Sequence, residues 1–159
     1  MKHTVHLIIG FSMMWALSRV PFKYFYNSSI IIFVFALILI CWAMSGGQTI
    51  EGENASRWIR LAGFTFQPSE LGKLALFVVL ARNLVHYQEN LSSLKKSFLP
   101  IMGPVILICG LTLPSNFSTS AIIFMISLFI MFLGRYSLKS LGIMILIGVV
   151  VLGTFYLAV

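Results

Sequence analysis

At 159 residues, with 59% hydrophobic and only 9% charged residues, the chain departs from water-soluble domains, in which about a quarter of residues are charged. The formal net charge of +7 does not argue for nucleic acid, because the eleven Lys and Arg residues are scattered between long apolar runs. There are four glutamates and no aspartate, so an aspartate-dependent mechanism cannot be completed by these residues alone.

Six apolar runs read as candidate membrane spans, which makes the expected fold an all-α integral membrane protein. The first, Val5 to Ser18, follows a basic head and ends on Ala16 and Ser18, features shared with a secretory signal peptide. Arg19 and Lys23 follow at once and favour cytoplasmic retention over cleavage. His3 and His6 are three apart and can share a helical face, but without a third ligand no metal site is expected. The second run, Ser28 to Ser45, holds Cys41, while Cys109 lies in the fourth; both read as small core residues rather than disulfide partners. The third run is Pro68 to His86. The fourth, Phe98 to Leu113, carries Pro100, tolerable in a first turn, and Pro104, whose kink neighbouring helices can repair. Thr119 to Gly134 and Leu141 to Val159 complete the set. Several runs fall short of the ~20 residues of a perpendicular span, so their flanks belong in the interface. No soluble domain, low-complexity segment or internal repeat is legible.

The connections alternate in charge. Arg19 and Lys23, then Arg82, Lys95 and Lys96, then Arg135 and Lys139 mark three basic loops. The other two either balance Glu51 and Glu53 against Arg57 and Arg60 or, around "LPSNFST", carry no charge. Positive-inside logic places the basic loops in the cytoplasm and the remaining two outside.

The outer segment "GENASRWIRLAGFTFQPSELGKL" then becomes the candidate site. Pro68 suits a first helical position and Glu70 a first turn, where the positive helix end favours a carboxylate. Lys73 is three residues on, so the two can pair on one face. The plain reading is a helix cap with a neutralising ion pair. The functional reading is that ionisable groups at a membrane boundary face protein or a wet cavity. Arg57, Trp58 and Arg60 likewise suit an interface belt, or the recognition of a lipid pyrophosphate by guanidinium forks and a flat apolar face.

"NASRWIRLAGFTFQPSELGKL" resembles the signature of the SEDS proteins, the FtsW/RodA/SpoVE family of bacterial cell-wall polymerases. Their outer loop reads N-G-A-x-R-W-I, a glycine, then F-Q-P-S-E-x-x-K, and "RVPFKYFYN" is similar to their cytoplasmic V-P-Y-K-Y-Y loop. The combination is closer to FtsW, the division member, than to RodA. The resemblance implies that residues 1–159 are a partial SEDS transmembrane domain, the second through seventh of about ten helices. It further implies a peptidoglycan glycosyltransferase that polymerises lipid II at the outer face of the bacterial cytoplasmic membrane. Its implied partners are a transpeptidase penicillin-binding protein, other division proteins and membrane lipids, with no nucleic acid. The substrate-binding set carried over is Arg57, Trp58, Arg60, Gln67, Ser69, Glu70, Lys73, Asn116 and Thr119, with Glu70 orienting Lys73. No cofactor is named by the residues, and no catalytic residue is assigned.

Three departures qualify the likeness. Glu53-Asn54 replaces Asn-Gly before Ala55, and "PSNFST" stands where many members have Q-P-D-x-G-T, so Asn116 replaces an acid and Ser118 a glycine. The family's essential aspartate lies in a large outer loop after the seventh helix, and the chain ends at Val159, before that loop. The sequence alone is expected to be inactive. Rival readings are a lipid II flippase, a noncatalytic division scaffold and an inactive fragment.

Overall fold

The structure, a computed structural model, describes residues 2–46, 59–61, 64–91 and 94–158. Among the described residues six α-helices follow in order: α1 (Lys2–Ser18), α2 (Phe22–Gly46), α3 (Pro68–His86), α4 (Leu94–Thr112), α5 (Phe117–Leu133) and α6 (Leu138–Ala158). Each contains or closely overlaps one of the six apolar runs. Between α2 and α3 the chain forms an antiparallel hairpin of two short strands, β1 (Ile59–Leu61) and β2 (Phe64–Phe66), with Arg60 opposite Thr65. The fold is helical as expected, and the hairpin is a small addition in the α2–α3 connection. Ile-Arg-Leu and Phe-Thr-Phe each alternate apolar and polar residues, the period of a strand rather than a helix.

Helix α3 is the hub, packing against α2, α4 and α5, while α6 packs on α5. Its buried residues Gly72, Ala75, Leu76, Val79 and Leu80 fall at three- and four-residue spacings along one side. Facing them on α2 are Phe33, Ala36 and Ile40. Gly72 sets the approach of this pair. A Cβ there would lie 2.8 Å from Ile40 Cδ1 and 3.4 Å from Ile108 Cδ1. The core continues into α4 and α5, where Ile101, Val105, Ile108, Ile123 and Met131 are buried.

The outside is as greasy as the inside. Ile31, Phe35, Leu74, Met125, Phe129 and Leu146 are all exposed, as is every described side chain of α1. A water-soluble monomer does not expose apolar surface on this scale. Among the described residues, the stretch long and apolar enough to cross a bilayer is Phe22–Ser45. Shorter apolar helical stretches run Leu7–Ser18, Ser97–Thr112, Phe117–Leu133 and Leu138–Val151.

Two local features follow from single residues. Pro104 has no N–H to give the carbonyl of Pro100 one turn earlier, and Asn83 Nδ2 of α3 donates to that carbonyl instead, at 2.6 Å. The repair expected of a neighbouring helix is therefore made by α3. At the end of α5, Tyr136 N–H donates to Met131 O (3.0 Å) and Arg135 N–H to Phe132 O (3.1 Å), with Arg135 at φ 58°. This is a Schellman turn with arginine where glycine is usual. It folds Tyr136 back into the core, with its hydroxyl 3.4 Å from Ser97 Oγ.

Candidate functional site

Helix α3 begins where the residue types require. Gln67 is extended (φ −102°, ψ 109°) with no side-chain cap, and Pro68 occupies the first turn, where its lost N–H costs nothing. Glu70 N–H donates to Gln67 O at 3.1 Å, closing that turn. Lys73 Nζ then donates to Glu70 Oε1 at 2.7 Å, the pairing implied by the three-residue spacing. The Glu70 side chain is 56% exposed and that of Lys73 24%, so in water the pair contributes under ~1 kcal/mol. Its strength rises as the surroundings become less polar. Geometrically, Glu70 draws the lysine back along the helix, holding its ammonium near the hairpin end of α3. An ammonium has three protons, and among the described residues only Glu70 accepts one from Lys73, leaving two for an acceptor from outside.

The α4–α5 turn meets α3 at this same end. A cavity of about 20 Å³ is lined by Pro68 and Ser69 of α3, Thr112 at the end of α4, Ser115 of the turn, and Ile40, Ala43 and Met44 of α2. That is about the room of one water molecule. Thr112 Oγ1 donates to Ile108 O (2.8 Å) and Ser115 Oγ to Thr112 O (3.0 Å), so both hydroxyls keep partners inside their own segment. Asn116 is extended (φ −159°, ψ 93°), and its side chain accepts the N–H of Thr119 at 3.0 Å. It caps α5, as Asn does at helix starts. Ser120 Oγ, one residue further, donates across to Cys109 O at 3.0 Å and ties α5 to α4.

Of the nine residues expected to bind substrate, the structure gathers Gln67, Ser69, Glu70, Lys73, Asn116 and Thr119 at one end of the bundle. Arg60 enters through its backbone only, as the middle residue of β1. Arg57 and Trp58 lie outside the described residues. Sequence reasoning missed Asn83 and the stacking of Arg82 on Tyr26, whose ring centroid lies 5.0 Å from Arg82 Cζ. Both occur at the far end of α3, and only the unusual density of polar residues in its last turns hinted at them.

The sequence signature of the FtsW/RodA/SpoVE family, described as a cell cycle protein, matches residues 1–159. The chain belongs to that family. Among its relatives, a probable peptidoglycan glycosyltransferase FtsW of Aeromonas salmonicida is 30% identical over 162 aligned residues, covering 99% of the chain and 40% of the relative. The crystal structure of the rod shape determining protein RodA of Thermus thermophilus superimposes with a TM-score of 0.75 at 21% identity, over 95% of the chain and 48% of RodA. A second structure, from work on a peptidoglycan synthase complex that coordinates polymerization and crosslinking, gives a TM-score of 0.73 at 20% identity, over 98% of the chain and 43% of its own length. The helical fold is thus shared with RodA, and the chain spans under half the length of these FtsW/RodA/SpoVE relatives.

Proposed function

We propose that the chain is the lipid-pyrophosphate-binding part of a peptidoglycan glycosyltransferase, which polymerises lipid II at the outer face of the bacterial cytoplasmic membrane. In this reading it is a multi-pass segment, the second through seventh helices of the family's ten-helix fold, working with a transpeptidase penicillin-binding protein. The naming of its FtsW relatives supports the activity, and the synthase-complex structure supports the partnership.

One observation carries the reading at the level of atoms: Lys73 is held by Glu70 with two protons that no described residue accepts, at a helix entrance matching the family's F-Q-P-S-E-x-x-K pattern. In glycosyl transfer from lipid II, an acceptor hydroxyl loses a proton and displaces undecaprenyl pyrophosphate. Negative charge develops on the leaving phosphate, and cations fixed beside it lower the barrier because they need not reorganise. Lys73 supplies one such cation, with Arg57 and Arg60 as guanidinium contacts from the preceding segment. Glu70 is a positioning residue, not the base, because its carboxylate is engaged by Lys73. With no aspartate in the sequence, these residues bind the donor but do not complete the deprotonation of the acceptor.

The test is to measure lipid II binding and glycan synthesis by the purified 159-residue chain with a glycosyltransferase-deficient penicillin-binding partner. The expected result is binding without polymer, and a loss of binding of about tenfold or more in Lys73→Met. Glu70→Gln should lose less, since the ammonium remains. Unchanged binding by a folded Lys73→Met protein refutes the pyrophosphate role, and polymer from the chain would place the base among its glutamates.

A further inference from the structure

The opposite end of the bundle carries a second concentration of charge with a different chemistry. Arg82, in the last turns of α3, is half-buried with its guanidinium carbon 5.0 Å from the Tyr26 ring of α2. Its Nε is buried and has no hydrogen-bond partner among the described residues. Lys23 is exposed and lies one turn before Tyr26, hence on the same side of α2. Arg19, at the α1–α2 turn, stacks on Trp15 at 4.9 Å. The first turn of α2 holds no acidic residue, although Lys23 there is set against the positive end of the helix. Glu89, an exposed carboxylate just beyond α3, forms no ion pair with any of these cations. Among the described residues no acid pairs with this positive charge, and the buried donor lies where α3 packs on Tyr26 of α2.

We infer that this α2–α3 junction binds the phosphate of an anionic bilayer phospholipid through Lys23 and Arg82 beside Tyr26. A lipid is favoured over a soluble anion because the cations continue directly into an apolar stripe. Ile30, Val34 and Ile38 follow Tyr26 at four-residue spacings up α2 and are 49%, 47% and 60% exposed. A headgroup on the cations leaves its acyl chain lying along those side chains. Basic crevices between helices are known to recognise anionic headgroups in this way. The inference concerns the end of the bundle away from Lys73 and does not rest on the glycosyltransferase reading.

The experiment is native mass spectrometry of the intact protein in a neutral maltoside detergent, titrated with phosphatidylglycerol or with phosphatidylcholine of the same chains. Phosphatidylglycerol should bind about fivefold more tightly, and Arg82→Gln should remove most of that preference. Arg82→Lys should retain part of it, keeping charge but losing the planar fork. Lys139→Gln removes the same charge from the exposed start of α6 and should stay within about twofold of wild type. Should Arg82→Gln fail to fold, judged by gel filtration, the exposed Lys23→Gln replaces it, with an expected loss of two- to threefold. Equal binding of the two lipids, or equal losses in Arg82→Gln and Lys139→Gln, overturns the site. Displacement of phosphatidylglycerol by millimolar inorganic phosphate overturns the lipid assignment in favour of a soluble anion.

Discussion

Asn83 offers the sharpest test of how this fold is held together. In an α-helix each carbonyl accepts from the N–H four residues on, and Pro104 denies that bond to Pro100. Asn83 Nδ2 fills the gap at 2.6 Å from another helix. Both residues are half-buried in an apolar bundle, where an orphaned carbonyl costs ~1–3 kcal/mol and measured interhelical bonds average about 0.6 kcal/mol with a maximum near 1.7. Asn83→Ala should therefore destabilise the protein by about 1–2 kcal/mol. In a Pro104→Ala background the helix regains its own N–H, and Asn83→Ala should then cost less than about 0.5 kcal/mol. Reversible unfolding in mixed micelles of maltoside and dodecyl sulfate, followed by circular dichroism, gives the four stabilities of this cycle. If Asn83→Ala costs the same in both backgrounds, the hydrogen bond is not repairing the proline and the reasoning fails.

Two further outcomes are expected. Gly72→Ala should cost about 1 kcal/mol, because Ile40 Cδ1 is a flexible end that can swing away, whereas Gly72→Leu should push α2 off α3 and cost ~3 kcal/mol or more. Thermal unfolding in detergent checks this, and a Gly72→Leu protein as stable as wild type refutes the close approach. Arg135→Gly should stabilise the protein by about 0.5–1 kcal/mol, since only glycine occupies φ 58° without a Cβ penalty. A melting temperature lowered by that change would show that the arginine side chain outweighs its backbone strain.

Helix α3 was legible end to end. Pro68 and Glu70 are start signals, and the apolar run that follows continues to His86, where the helix stops. The start of α2 was less so. The apolar run begins at Ser28, yet the helix starts at Phe22, because nothing after Pro21 breaks it and Lys23, Tyr24 and Asn27 merely lower the hydropathy. Helices α4, α5 and α6 start ahead of their apolar runs in the same way, at Leu94, Phe117 and Leu138. Hydropathy marks what lipid tolerates, while the helix is set by hydrogen bonds that continue into the interface. The Glu70–Lys73 pair was readable because both partners lie on one helix, whose geometry is known in advance. Asn116 was expected to bind substrate from the family resemblance alone, whereas its capping of α5 depends on where that helix starts. The Asn83–Pro100 bond spans 17 residues and two helices, so only the tertiary packing could name the donor.

The hydroxyls scattered through the helices have a consequence for how such a chain is assembled. Ser12, Ser29, Ser45, Thr112, Ser127 and Thr154 each donate to a carbonyl three or four residues earlier in their own helix. On the multi-pass reading proposed above, each of these groups enters the bilayer already satisfied, so its helix can leave the translocation machinery without waiting for a neighbour. The Pro100 carbonyl is different, because its donor belongs to another helix. That donor, Asn83, lies earlier in the chain and is synthesised first, so the partner is already in place when the proline-bearing segment emerges. On that reading, the order of the residues along the polypeptide supplies the donor before the carbonyl that needs it.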